Sequence, residues 1–475
     1  MGETTTDNKE QGMAQMTGGA RHWYKPAMAG AAICRRTGRI ARIAAILLAV
    51  PLAGCTSMSG VGDSVTSLFE EEEERLPGER ISVVSPESTS SLADVESTKP
   101  VSVASAQTNG VWTQPGGVAS NAPGHLAFTG RLKQRWSAYA GEGSSSDGQL
   151  LAVPVVAGDR IYTLDTEGLV RAFSKSSGNE LWEISLVPEN EDEEAGFGGG
   201  LAIDSGKLFA ATGFGTVVAL DPSSGKVQWT KRFELPFRMS PTAANGRVFV
   251  VNAESQLYAL SAEDGRELWT ARGLPEAAAV LSNASPAVSS NTVVVPYPSS
   301  ELLAFDVESG QPKWAESLTR TQQGRASEKL GNTVRPAIAG GTVYAVSGAG
   351  RLIATDIESG SRHWSVDISA TQTPWVAGDA VFVVDRSGKL VAVERDSGDI
   401  AWVTNLPQSR HWNGPVLASE KLWLISSTGL MVGVNARTGE VVTKRDLDEK
   451  TYIAPVVADG AMYVLTDDAD LIALN

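Results

Sequence analysis

Residues 374–402 read PWVAGDAVFVVDRSGKLVAVERDSGDIAW. A proline opens the stretch, Gly378-Asp379 marks a turn, and Ala380–Val384 is a β-forming run. Ser387-Gly388 marks a second turn and a second run follows over 389–393. A third turn at Ser397-Gly398 stands just before Trp402. Short β-forming runs punctuated by Gly, Asp and Ser predict an antiparallel meander. A lone meander cannot bury its own apolar faces, so it needs neighbours of the same kind.

The chain supplies them. Gly178, Gly225, Gly265, Gly310, Gly360 and Gly398 precede Trp182, Trp229, Trp269, Trp314, Trp364 and Trp402, always at the same short spacing. Gly439 leads to Thr443, a degenerate copy. The opening proline recurs at Pro154, Pro241, Pro286, Pro336, Pro374, Pro415 and Pro455, and Gly199-Gly200 replace it in the second unit. A period of about 40 to 50 residues with four strands per unit is that of a β-propeller.

The two ends set the number of blades. The last unit, 455–475, supplies three strands and no closing tryptophan. Residues 132–140, LKQRWSAYA, hold Trp136 with no meander before it. This front strand is therefore expected to complete the last blade, which hides two sheet edges at once. The expected fold is all-β: an eight-bladed propeller of four-stranded antiparallel blades. Trp136, Trp182, Trp229, Trp269, Trp314, Trp364 and Trp402 are expected between neighbouring blades, with a glycine turn against each ring. They read as core rather than as a ligand cage.

Composition narrows the function. The 475 residues carry a net charge of −15, which disfavours non-specific nucleic-acid binding. The two cysteines, Cys34 and Cys55, both precede the repeats, so the propeller has no disulfide. His22, His125, His363 and His411 have no metal-ligand spacing. Asp159, Asp165, Asp221, Asp306, Asp356, Asp379, Asp385 and Asp459 fall at turns, where a carboxylate satisfies local backbone N–H groups. No G-x-S-x-G or HExxH motif occurs. No catalytic residue, metal or cofactor is expected.

Before the repeats, Arg35, Arg36, Arg39 and Arg42 precede an apolar run over 43–52. The run is shorter than the ~20 residues of a membrane-spanning helix and reads as a signal sequence starting at Met28. Residues 52–55, LAGC, resemble a bacterial lipobox. The resemblance implies acylation of Cys55, and Thr56 in the next position implies delivery to the outer membrane, facing the periplasm. The expected organisation is an extension and signal over 1–54, an acylated cysteine with a Ser/Thr/Glu-rich tether and packing segment over 55–131, and the propeller over 132–475. The Glu70–Glu74 run reads as solvated tether. Residues 111–128 are expected to pack, extended, on the propeller.

Three connectors matter. Residues 187–200, VPENEDEEAGFGGG, read as a flexible loop: no helix follows the glycines, and the acids repel phosphate. Residues 234–239, ELPFRM, set Leu235 and Phe237 beside Arg238. Residues 272–285, RGLPEAAAVLSNAS, carry Leu274, Leu281 and Asn283. Adjacent connectors lie on one face of a propeller, so Leu235, Phe237, Arg238, Leu281 and Asn283 form a candidate partner-binding rim. Phe237 is the expected apolar anchor and Arg238 the donor fork.

Repeats such as GRLIATDIESGSRHW, 350–364, are similar to those of pyrroloquinoline-quinone-type propellers. With its lipobox and its eight units over 132–475, the chain resembles the BamB family of outer-membrane assembly lipoproteins. That resemblance implies a non-enzymatic scaffold without cofactors. Its implied partners are the periplasmic POTRA domains of a BamA-like subunit and unfolded outer-membrane protein substrates, and its membrane contact is through lipid. The family's first partner loop is matched by Leu235, Phe237 and Arg238. Its second carries two acids where this chain has Leu281-Ser282-Asn283-Ala284. The alternatives are another periplasmic binding propeller or a quinone-dependent dehydrogenase. Such enzymes usually use calcium and a disulfide of adjacent cysteines, and no cysteine follows Cys55.

Overall fold

The computed structural model describes residues 99–475, apart from 147, 275–283, 320–333, 349 and 408–410. Cys55, the Glu70–Glu74 run, Leu281 and Asn283 lie outside the described residues. Thirty-two strands among the described residues form eight four-stranded antiparallel sheets. Blade one consists of β2 (Val155–Ala157), β3 (Arg160–Leu164), β4 (Leu169–Ser174) and β5 (Glu180–Ser185), innermost to outermost. Blades two to seven repeat it over 199–232, 242–272, 287–317, 337–366, 375–405 and 412–446. Blade eight takes β30 (Val456–Ala458), β31 (Ala461–Leu465) and β32 (Asp470–Leu474) from the end of the chain, and β1 (Gln134–Tyr139) from its front. Trp136 pairs with Ala473 and Tyr139 with Asp470, so the ring closes as the spare front strand demands.

The recurring tryptophan has a local cause. In blades one to six the outermost strand carries a register shift beside the tryptophan. The shift sets Trp182 opposite Ala172, Trp229 opposite Ala219, Trp269 opposite Ala259, Trp314 opposite Ala304, Trp364 opposite Ala354, and Trp402 opposite Ala392. A bulge bends and twists its strand, and the small alanine leaves room for the indole. Each ring then meets the glycine turn of the next blade. Cβ atoms added at Gly178, Gly225, Gly265 and Gly310 would come within 2.6 Å of Trp136, Trp182, Trp229 and Trp269. Gly360, Gly398 and Gly439 meet Trp314, Trp364 and Trp402 in the same way. Six indoles also donate to a backbone carbonyl of that next blade: Trp136 to Lys175 at 3.2 Å, Trp269 to Val307 at 3.0 Å and Trp364 to Arg395 at 2.8 Å are examples.

The seam between blades seven and eight differs. Thr443 stands where a tryptophan would, opposite Gly433. Its neighbour Trp423, on the second strand of blade seven, is fully buried. The Trp423 ring lies over Gly433, where an added Cβ would come within 2.9 Å, and Phe128 packs edge-on against it at 5.5 Å.

Most turn aspartates behave as expected. Asp221, Asp306 and Asp356 each accept two backbone N–H groups; the hydroxyls of Ser223 and Ser224 at Asp221, and the amides and hydroxyls of Ser309 and Ser359 at the other two, hold these carboxyls below the usual range. Asp165 and Asp385 each accept amides two and four residues on. Three depart from this: Asp159 pairs with the side chain of its neighbour Arg160 at 2.7 Å, and two others reach further. Asp379 accepts the amide of Ser102 at 2.7 Å, and Asp459 pairs with Lys175, so both reach across to other segments. The glycines at 199–200 also depart from the expected loop. They begin the inner strand of blade two, Gly199–Asp204, where an added Cβ at Gly199 would meet the Ala211 carbonyl at 2.0 Å and one at Gly200 the Ser240 hydroxyl at 2.2 Å.

Residues 111–128 pack on the propeller as expected, and the packing extends beyond them over 99–131, where Val101 and Val103 are buried, so that the whole segment forms a collar. Trp112 exchanges backbone hydrogen bonds with Val156 of blade one. Thr113 accepts from Ile203 of blade two, and the Gln114 carboxamide bonds both Ile203 and Ala243 of blade three. Ala119 and Ser120 accept from Val288 and Ile338 of blades four and five. Gly124 accepts from Trp375 of blade six, Leu126 bonds Leu417 and Ser419 of blade seven, and Thr129 donates to Gly460 of blade eight. All these partners lie on the innermost strands or at the turns that follow them. The collar therefore circles the mouth of the channel on the face opposite the connectors between blades. Its two arms meet where Gln107 pairs beside Leu126 and where His125 bridges Ala104 and the Glu420 amide.

Candidate functional site

The connector over 233–240 starts from Phe233, the residue after the outer strand of blade two, whose amide donates to Gly215 at 2.8 Å. Gly215 has a φ of 73°, and an added Cβ would meet the Phe233 and Leu235 carbonyls at 2.8 Å, so glycine is what lets the connector lie this close. Phe237 then donates its amide to Thr212 and bridges to Asn252 of blade three. Its ring is fully buried and packs edge-on against Phe233 at 5.2 Å. This corrects the role expected of Phe237. It cannot anchor a partner, because it already fills the seam between blades two and three and holds its own connector in place.

Arg238 is half-buried. Its guanidinium stacks 4.0 Å from the centre of the Phe197 ring and donates to the Phe197 carbonyl. Burial lowers its pKa, yet arginine keeps its charge. The stack is favourable electrostatically and leaves the remaining donors of the fork available to an acceptor. Gly198 permits it, since an added Cβ would lie 3.1 Å from Arg238 Cδ. The acidic connector over 187–198 and the Arg238 connector are therefore one surface, pinned again by Arg232 to Glu191 at 2.6 Å. Sequence reasoning missed Phe197. Its signal was the aromatic residue set inside a glycine-rich run.

Leu235 is partly exposed and Glu234 exposed. Leu274 opens the next connector with 60% of its surface exposed. The two connectors are tied where Ser240 donates to Ala284 at 3.0 Å. The described part of the rim thus presents Leu235, Arg238 and Leu274 on a base of buried aromatics.

Two cavities among the described residues bear on cofactor binding. One, of about 250 Å³, lies on the connector face between blades eight and one and is lined by Tyr139, Glu142, Thr166, Glu167, Phe197 and Asp468 among others. The other lies under the collar beside Trp112, Trp375 and Arg335 and holds only about 30 Å³, the scale of a single water. Arg335 is fully buried there, which pushes its pKa down to about 10. That space does not admit a quinone ring system. Among the described residues no group of three or more His, Cys, Asp or Glu comes together as a metal site.

Known proteins place the chain. A crystal structure of BamB from Moraxella catarrhalis is similar over 72% of this chain and 97% of that one, with a TM-score of 0.60 and 19% identity. A quinohemoprotein alcohol dehydrogenase from Comamonas testosteroni is similar over 78% and 81%, with a TM-score of 0.62 and 13% identity. At these identities the likeness is one of fold, which a scaffold and an enzyme share. Among curated proteins, an uncharacterised protein of Rickettsia prowazekii (strain Madrid E) is 30% identical over 37% of this chain and 42% of its own length. The outer membrane protein assembly factor BamB of Bordetella pertussis (strain Tohama I) is 27% identical over 43% and 50%. The chain spans about half the length of the curated relatives it matches. Residues 166–404 and 405–475 match the family described as outer membrane protein assembly factor BamB, and with the eight blades and the closing front strand this settles its membership: the chain belongs to the BamB family.

Proposed function

We propose that this chain is a non-enzymatic scaffold in the assembly of outer-membrane β-barrel proteins. In this reading Cys55 is acylated and holds the protein to the outer membrane. The signal occupies residues up to 54, and the tether keeps the propeller in the periplasm. The connector rim of blades two and three then binds the POTRA domains of a BamA-like subunit. Family membership supports the reading, and the observation that carries it to a site is Arg238. The arginine is held rigidly on Phe197 and flanked by Leu235 and Leu274. A pre-positioned arginine beside apolar side chains is what an interface hot spot requires. Buried Phe237 supports the loop instead of touching the partner. Leu281 and Asn283 belong to the same proposed surface by sequence position. The test is titration of purified POTRA domains against the folded protein, with binding at this rim expected. Undiminished binding to a folded rim variant would remove the rim from the proposal.

A further inference from the structure

We propose that the channel mouth opposite the connectors is a binding site for a turn-containing polypeptide segment, and that residues 99–131 occupy it in cis as an exchangeable ligand.

The innermost strand of each blade is the edge of its sheet, so part of its backbone hydrogen-bonding capacity faces the channel. Near the turn-side mouth these groups meet the collar: the amides of Val156, Ile203, Ala243, Val288 and Ile338 each find an acceptor in it, at 2.7–3.0 Å. Main-chain recognition along sheet edges is how folded domains capture extended peptides. Here eight short edges arranged in a ring replace one long edge. The collar adds no strand to any sheet on its way round: its backbone meets the blades through isolated bridges and loop hydrogen bonds, while Val101, Val103, Trp112, Leu126 and Phe128 seat their side chains in the apolar core as anchors.

Specificity comes from two carboxamides, each spanning a seam. Gln114 donates to Ile203 and Ala243 carbonyls at 3.0 and 2.8 Å and accepts from the Ala243 amide at 3.0 Å. Asn121 donates to the Pro286 and Pro336 carbonyls at 3.4 and 3.0 Å. Those prolines are repeat positions. Each lacks an N–H and sits just before an innermost strand, so the mouth offers carbonyl acceptors at regular intervals. Trp112 fills a slot against Trp375 with ring centres 6.4 Å apart. The matching ligand is a Pro-Gly-containing segment with carboxamides that turns at Gln114–Gly117 and again at Val118–Asn121, such as WTQPGGVASNAPG at 112–124. While the collar is seated, this mouth is closed to any other chain.

The test uses the whole protein with a specific protease site inserted between Gly130 and Arg131, next to exposed Thr129. The protein is folded, cut, and mixed with a labelled synthetic peptide of residues 99–131. The expected result is that the cut collar stays with the ring at micromolar concentration, leaves on dilution, and is replaced by labelled peptide while the β-sheet circular dichroism is unchanged. A peptide carrying Gln114→Ala and Asn121→Ala is expected to bind at least tenfold more weakly. One carrying Ser105→Ala and Thr108→Ala, both at exposed positions, is expected to bind like the natural sequence. If the cut collar departs and no labelled peptide is captured, the mouth is not a peptide site. If the cut collar exchanges only when the ring unfolds, it is an integral part of the fold and the proposal fails equally.

Discussion

Gly265 of blade three lies face-on to the indole of Trp229 in blade two, so that an added Cβ would come 2.6 Å from the ring. Gly246, on the inner turn of the same blade, has nearly the same φ, 70° against 72°, but nothing within 4 Å of an added Cβ. Alanine is strained at both, by ~1 kcal/mol. Only at Gly265 does overpacking add a further ~1–3 kcal/mol. Gly265→Ala is therefore expected to lower the thermal midpoint clearly more than Gly246→Ala. Equal midpoints would show that the seams tolerate displacement.

Trp364 and Trp402 make a second matched pair. Trp364 donates to the Arg395 carbonyl at 2.8 Å, whereas the buried Trp402 N–H has no acceptor among the described residues. Replacement by phenylalanine shrinks the ring at both sites, but only at Trp364 does it strand an acceptor, at a cost of ~1–3 kcal/mol. Denaturant unfolding of Trp364→Phe should show the larger loss. The reverse order would mean that packing volume outweighs the hydrogen bond.

Ring closure by the front strand predicts the effect of truncation. Val101 and Val103 are buried in the core cluster shared with blades six to eight, so the packed region begins at about residue 99. Deleting 56–98 should leave the melting transition of the propeller unchanged. Deleting 56–140 removes Trp136 and the pairing with Asp470–Leu474, and should abolish cooperative melting. Matching transitions for the two proteins would refute closure by this strand.

At the rim, truncating a paired interfacial arginine costs ~2–5 kcal/mol. Arg238→Ala is therefore expected to weaken POTRA binding by well over tenfold while circular dichroism stays native. Arg238→Lys should recover only part of the loss, because lysine keeps the charge but not the planar fork or its stack on Phe197. Binding of Arg238→Ala within about twofold of the natural protein would exclude the rim.

Cys55→Ser should abolish acyl labelling and leave the protein soluble or unprocessed. Acyl labelling that persists in the serine variant would place the anchor elsewhere.

Much of the fold was legible because the repeat encodes one physical unit many times over. Each Gly-x-x-x-Trp spelled out both halves of a seam, the ring and the turn that receives it. The exception was legible only in part. Thr443 announced a degenerate copy, but nothing local said that Trp423 and the distant Phe128 would fill the gap. The collar was legible as packed over 111–128, but not as turned: the chain folds back at Gln114–Gly117 and at Val118–Asn121 instead of running extended. Its path round the mouth depends on hydrogen bonds such as that from the Ile338 amide to the Ser120 carbonyl, whose spacing in the chain follows no period. At the rim one orientation was not legible: Phe237 turns into the seam instead of outward. Phe237 and Leu235 alternate along an irregular loop, and the pattern does not say which faces the seam.

The pairing of β1 with β32 also sets a clock. Gln134 and Leu474 are partners some 340 residues apart in the chain. At ~5–20 residues per second, β1 exists for roughly 20–70 s before its partner is made. During that interval it is an unpaired edge strand carrying a tryptophan and a tyrosine. Arg131, Lys133 and Arg135 crowd its start, and such charges discourage edge-to-edge association. The last seam can form only when Asp470–Leu474 has been made, so the complete ring is available to a partner all at once, and a chain cut short before that strand never completes an eighth blade.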